Sequence, residues 1–304
     1  MSNMDNQDKK ICTIIITFNF EKWIDKCLES LRRSSTKTTV LVIDNNSSDN
    51  TCSIINQKYP EVILIDNKEN LGFGKANNIG FKYAIDNGFE FVFLLNQDAW
   101  IEKNTLEELV STSHTNSDYG IISPIHLNGT GERLDFGFAT YIGINNINDI
   151  PSGDNKIVSC NFINAAFWLI PTTILKQVGG FAPIFPHYGE DVNYAQRVAA
   201  KGFKIGYTLK AIAYHDRENR KVSRDKFFYS EYIYFLTEAV NIRHTQIRAF
   251  GFSTLAPLKK AMLSIAKGSI KDTMAYIDVA IQITKHRKQI IRTRRSSKET
   301  GAYL

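Results

Sequence analysis

The run Phe91-Val92-Phe93-Leu94-Leu95, followed at once by Asn96-Gln97-Asp98, constrains this chain more than any other stretch. Consecutive apolar residues over so short a span read as a strand covered on both faces. That is the environment of a parallel sheet packed between helices. An acidic side chain at the carboxyl end of such a strand lies where open α/β sheets bind their ligands. A hard divalent cation that also holds phosphate oxygens needs only one or two protein carboxylates. Asp98 is therefore a candidate metal ligand; capping a helix that starts near Lys103 is its other reading.

The same punctuation recurs upstream. Residues 11–17 are a β-branched strand, and Trp23, Ile24, Cys27, Leu28 and Leu31 follow at helical spacing. Residues 40–43 form a second strand ending on Asp44, and residues 62–65 a third. A polar turn over 45–51 leads into one helix, and the loop Asn70-Leu71-Gly72-Phe73-Gly74 into another that Asn87-Gly88 stops. Strands alternating with single helices imply right-handed crossovers and a doubly wound sheet. The loops at Thr17, Asp44, Gly72 and Asp98 then share one edge, a crevice suited to a nucleotide. Neither G-x-G-x-x-G after the first strand nor G-x-x-x-x-G-K-[ST] occurs.

Beyond Ser123-Pro124 the periodicity fades. Residues 129–155, rich in Gly, Asn and Asp, are expected as hairpins and a mobile loop. Residues 158–163 and 167–170 are expected as strands beside the central one, with a short helix over 171–177. Glu190 and Asp191 open a helix, where the dipole favours negative charge. Residues 203–207 and 211–214 read as two strands, the second ending on His215. An aromatic block over 227–235 and an apolar stripe over 258–281 are expected to be helical and to pack on the preceding domain. Seven Lys/Arg and no acid lie between Lys285 and Lys298, a tail free to be solvated or to sit on an anionic surface.

At 43% hydrophobic and 22% charged, the 304 residues have an ordinary globular composition. No apolar run approaches the roughly 20 residues that cross a bilayer. The first ten residues do not resemble a signal peptide. The four cysteines lack C-x-x-C spacing and read as reduced, so the expected location is cytoplasmic.

In this order the motifs resemble family 2 glycosyltransferases of the GT-A fold, in particular the bacterial rhamnosyltransferase-like branch. They are Thr17-Phe18-Asn19, Asp44-Asn45-Asn46-Ser47-Ser48-Asp49, Asn70 to Gly74 with Asn77, Asn96-Gln97-Asp98, Gly179-Gly180-Phe181, Tyr188-Gly189-Glu190-Asp191 and Tyr214-His215. The resemblance implies an α/β fold with a mixed, mostly parallel sheet flanked by helices. It implies a flexible N-terminus over 1–9 and a catalytic domain over 10–225, nucleotide-binding over 10–100 and acceptor-binding over 101–225. A helical extension follows over 226–304.

Its roles carry over by position. Thr17, Asn19, Asp44 and Asn46 would line the base pocket, and Gly72, Phe73 and Asn77 would approach ribose and diphosphate. Asn96 and Gln97 would face the donor, and Asp98 with His215 would hold Mg²⁺ or Mn²⁺. Asp191 would be the general base, supported by Glu190. Asn164, Trp168 and Tyr188 fall on the acceptor side. The sequence departs from the family where Asn96 replaces the first acid of D-x-D and Asn193 stands where a further carboxylate is common.

The implied activity is inverting, metal-dependent transfer, with rhamnose from dTDP-rhamnose as the leading donor and a UDP-hexose as its alternative. The implied acceptor is a glycan or lipid-linked saccharide of bacterial surface polysaccharide, met at the inner membrane face. Membrane contact through the extension and self-association stay open, as does a catalytically degenerate relative. A pyrophosphorylase would need a basic glycine-rich loop where Thr17-Phe18-Asn19 stands. A nucleic-acid binder would need aromatics interleaved in the basic tail, so no nucleic acid is expected.

Overall fold

The computed structural model describes residues 10–151, 157–217 and 223–304; the expected flexible segment 1–9 lies outside them. Strands β1 (Ile11–Thr17), β2 (Thr39–Asp44), β3 (Ile63–Asp66) and β4 (Phe91–Leu94) run parallel in the order β3-β2-β1-β4. Strand alternation sends neighbouring side chains to opposite faces. Ile11, Ile15, Phe91, Phe93 and Leu95 pack with helices α1 (Ile24–Arg32), α2 (Thr51–Lys58) and α4 (Thr105–Thr115). Cys12, Ile14, Val92 and Leu94 pack with α3 (Gly72–Asp86), α6 (Thr172–Val178) and α7 (Glu190–Ala200).

The second half of the sheet is mixed. Strand β8 (Leu169–Pro171) lies antiparallel between β4 and β6 (Tyr119–Asn128), as its expected place beside the central strand requires. β6 runs parallel to β9 (Lys204–His215), and β5 (Ala99–Ile101) pairs antiparallel with β9 so that Ala99 faces His215. The expected fold class, mixed and mostly parallel with flanking helices, is the one observed.

Four details differ from expectation. First, the strand over 158–163 is β7 (Ile157–Cys160), which pairs with β9 and not with the central strand. Second, residues 204–215 form one strand, long enough to carry β5 and β7 along the same edge. Third, β6 runs straight through Ser123-Pro124; a bulge between Ser123 and Ile125 absorbs the missing proline N–H.

Fourth, the stretch read as hairpins contains helix α5 (Phe136–Ile142) and a 3₁₀ turn at Ile147–Asp149. Asp135 caps α5 by accepting from the Phe138 N–H at 2.9 Å, and left-handed Gly143 closes it. Residues 152–155 of that stretch lie outside the described ones.

Helices α8 (Arg224–Val240), α9 (Gln246–Ala266), α10 (Ile270–Lys285) and α11 (Arg287–Ser296) complete the chain. Ile233, Phe235 and Leu236 of α8 bury themselves against Ala182, Ile184 and Phe185. The basic stretch is not a solvated tail. Buried Arg294 donates to the carbonyls of Ala239, Asn241 and His244 and so closes the end of α8. Among the described residues no helix is long and apolar enough to cross a membrane.

Candidate active site

The carboxyl ends of β1, β2 and β4 are tied into one rim. Asp44 is fully buried and accepts from Thr17 Oγ1 at 2.7 Å, Ser47 N–H at 2.7 Å and Ser47 Oγ at 2.6 Å. Ser47 Oγ in turn accepts from the Asn19 N–H, and Asn19 Oδ1 accepts from the Ser48 N–H. Asn19 (φ 53°) and Asn46 (φ 65°) adopt left-handed backbone, which Asn tolerates better than other side chains. The exposed surface of this rim is that of Phe18, Asn19, Asn46 and Ser48, with the buried Asp44 and Thr17 bracing it from below. Gln97 pins the same rim to β4: its Oε1 accepts from the Phe18 N–H at 2.8 Å and its Nε2 donates to the Phe18 carbonyl at 3.3 Å.

The Gly72 loop is held by Asn45, whose Nδ2 donates to the Gly72 carbonyl. Gly72 has φ +74°, and a Cβ there would sit 2.8 Å from the Pro186 carbonyl oxygen, so glycine is required twice over. Phe73 packs edge-on against Phe181, and Asn77 is fully buried with its Oδ1 unpartnered among the described residues.

Asp98 stands half-buried beside the buried His215, with Oδ1 3.2 Å from Nε2, and Asn96 Nδ2 lies 3.4 Å from that same nitrogen. Burial pushes the Asp98 carboxyl up, but the His215 hydrogen bond and charge outweigh it and hold it below the ordinary value. Two residues beyond the expected set complete the cluster. Arg217 Nε donates to His215 Nδ1 at 3.0 Å and lies 3.4 Å from Asp135 Oδ2; that oxygen is itself 3.7 Å from His215 Nδ1. Asp135 lies in the stretch without periodicity and Arg217 just past the last motif; proximity to His215 was the one available signal.

A divalent cation fits this donor set. Asp98 supplies a carboxylate and His215 an imidazole nitrogen within reach of each other, and Arg217, itself paired with Asp135, fixes the ring from the Nδ1 side. Among the described residues another group of potential ligand atoms, from Asp44, Cys52 and Asp66, gathers within 4.8 Å. It suits a metal less well. Burial and the neighbouring Asp44 push the Cys52 thiol up to about 11, so it stays protonated, and the Asp44 oxygens are already engaged.

Glu190 and Asp191 occupy the first turn of α7. Asp191 Oδ1 accepts from the Val192 N–H at 2.8 Å, and the backbone at Ala165 also donates to its carboxylate. Burial nevertheless raises its pKa. Burial and then the charge of Asp191 push Glu190 up to about 7, and its Oε2 is buried without a partner among the described residues. Fully buried Arg197 steadies the helix by donating to the Val178 and Gly180 carbonyls.

On the acceptor side, Tyr188 is 62% exposed, whereas Trp168 is a correction. Its ring lies wholly in the core against Phe181 and Tyr194, and its Nε1 donates to the Ile163 carbonyl. Asn164 is partly buried, and its Oδ1 has no partner among the described residues.

A polar rim at the ends of the parallel strands, a carboxylate–histidine pair and a helix-borne acidic pair on one mixed sheet fit a GT-A glycosyltransferase. The chain belongs to glycosyl transferase family 2, matched over residues 12–167. It is 27% identical over 229 residues to a low-salt glycan biosynthesis hexosyltransferase, Agl10, of Haloferax volcanii, covering 73% of this chain and 71% of that one. It is 25% identical to the O-antigen chain rhamnosyltransferase WbaN of Salmonella anatum, covering 66% and 64%. A mannosyltransferase from Pyrobaculum calidifontis, solved with GDP-Man and Mn²⁺, shares the fold at a TM-score of 0.55 and 17% identity, over 98% of this chain and 85% of that one.

Proposed function

We propose that the chain is an inverting, divalent-metal-dependent transferase that moves a sugar from a nucleotide donor to a saccharide acceptor of a surface polysaccharide. The domain at 10–225 would carry catalysis, and 226–304 would be its helical extension. The carrying observation is the pairing of Asp98 with His215 on the strand edge, with Asp191 on α7 held by backbone donors at Val192 and Ala165. Asp98 and His215 would hold Mg²⁺ or Mn²⁺, whose charge offsets that of the departing nucleoside diphosphate. Arg217 adds a fixed positive charge beside them. Asp191 takes the proton of the acceptor hydroxyl while that oxygen bonds to the anomeric carbon and the bond to the diphosphate breaks. One base opposite the leaving group gives a single displacement with inversion.

Rhamnose from dTDP-rhamnose is our leading donor, supported by the likeness to a rhamnosyltransferase; a UDP-hexose is the alternative. A degenerate, donor-binding relative is the second reading, favoured by Asn96 in place of a carboxylate. Asp191→Asn tests the mechanism. We expect transfer of labelled sugar to fall by about 10³-fold or more, with nucleotide affinity nearly unchanged. Unaltered turnover would remove Asp191 as the base.

A further inference from the structure

We propose that the hairpin of α9 and α10 docks the protein onto an anionic bilayer surface through its outer face. α9 turns small residues toward the protein: Ala249, Ser253, Pro257, Ala261 and Ser264 are its buried positions. Thr273 of α10 donates through Oγ1 to the Ala261 carbonyl at 3.4 Å. The large apolar side chains point the other way. Leu255 (66% exposed), Met262 (70%) and Ile265 (64%) project from α9, and Ile270 (75%) and Met274 (66%) from α10. Ile270, Met274, Ile277 and Ile281 recur at helical spacing and form one continuous exposed stripe. A surface helix of a globular protein carries its apolar stripe inward. Here the bulk of that stripe faces out, over more surface than scattered exposed residues explain.

Charge selects the occupant. α9 contains no acidic residue, while exposed Arg248 and Lys259 lie on its outer face and exposed Lys267 and Lys271 flank the turn between the helices. α10 carries two acids, Asp272 paired with Arg224 and exposed Asp278 hydrogen-bonded by Gln282, so the four cations leave a net positive face. Side chains of this kind bury their stems in an apolar surface and lift their cationic ends to the phosphate level. A two-fold contact between copies would set this net positive charge against itself. Anionic headgroups supply the missing counter-charge. Since neither helix is long and apolar enough to cross, the hairpin lies in the interface, held by apolar contact and charge together. Docking is independent of the donor and of catalysis.

The test is flotation of the full-length chain with vesicles of phosphatidylcholine alone or mixed equally with phosphatidylglycerol. The chain should float with the anionic vesicles. The triple variant Leu255→Glu, Met262→Glu, Met274→Glu should keep its melting temperature and lose roughly a thousandfold in partitioning. Lys267→Glu with Lys271→Glu should erase the preference for anionic lipid. If the triple variant fails to fold, Met262→Glu and Met274→Glu singly should each cost about tenfold. Fluorescence of Met262→Trp should be quenched by brominated lipid, and the added fluorescence of Ile291→Trp on α11 should not. Wild-type protein left in the aqueous fraction, or a folded triple variant that floats normally, would overturn docking. A dimer in vesicle-free buffer that the triple variant dissolves would give the face to a second copy instead.

Discussion

Glu190 and Asp191 are adjacent carboxylates with unequal surroundings: backbone donors reach Asp191, and Glu190 Oε2 has none among the described residues. That contrast raises the proton affinity of Glu190, in line with the proposal that Asp191 is the base. It also has a thermodynamic signature. A carboxyl whose folded pKa is raised from 4.5 to about 7 favours the folded state fully below its unfolded pKa, and that contribution is lost as pH rises through 7. Glu190→Gln should therefore leave stability unchanged near pH 4 and raise it by on the order of 3 kcal/mol above pH 8, read by thermal melts across pH. An equal effect at both pH values would contradict the assignment. At this scale Asp98 stood out from the residues alone, at the abrupt end of a buried apolar run. Asp191 and His215 were singled out by the family resemblance, since a charge in a helix's first turn and a lone histidine after a strand carry no signal of their own. Asp135 and Arg217 were not, since neither belongs to an element that leaves a pattern.

Among the elements, the Gly72 loop and the turn ahead of α7 support each other through the contact of Gly72 with Pro186. Gly72→Ala should destabilise the protein by about 1–3 kcal/mol in urea and weaken donor binding along with it, because positive φ and the close carbonyl both oppose a Cβ. Unchanged stability would mean that the loop relaxes freely. The parallel half of the sheet was legible strand by strand because burial on both faces leaves uninterrupted apolar runs. The mixed half was not. Pro124 disguised β6, and Thr208-Leu209-Lys210 broke the apolar run of β9 into what read as two strands. Helix α5 is capped by a residue whose other oxygen serves the active-site cluster, a double duty that no local pattern reveals.

For the molecule as a whole, the C-terminal helices are bound to the catalytic body by apolar packing and to one another by Arg294. Arg294→Met should lower stability by about 2–4 kcal/mol in calorimetry by leaving buried carbonyls without donors, while exposed α11 charges such as Arg292 should be replaceable at little cost. Composition could place these cations at the end of the chain, but only packing distinguishes the buried guanidinium from its exposed neighbours. The central claim is that Asp98 holds a metal through which a nucleotide donor is bound. It is tested most directly by thermal shift with UDP, dTDP, GDP and CMP, each with and without Mn²⁺, on wild type and Asp98→Ala. A ligand that binds only the folded state must raise its apparent stability. The account predicts stabilisation by one nucleoside diphosphate, larger with Mn²⁺, with the metal-dependent part lost in Asp98→Ala. Silence across the panel at millimolar ligand, or an undiminished response in Asp98→Ala, would contradict it.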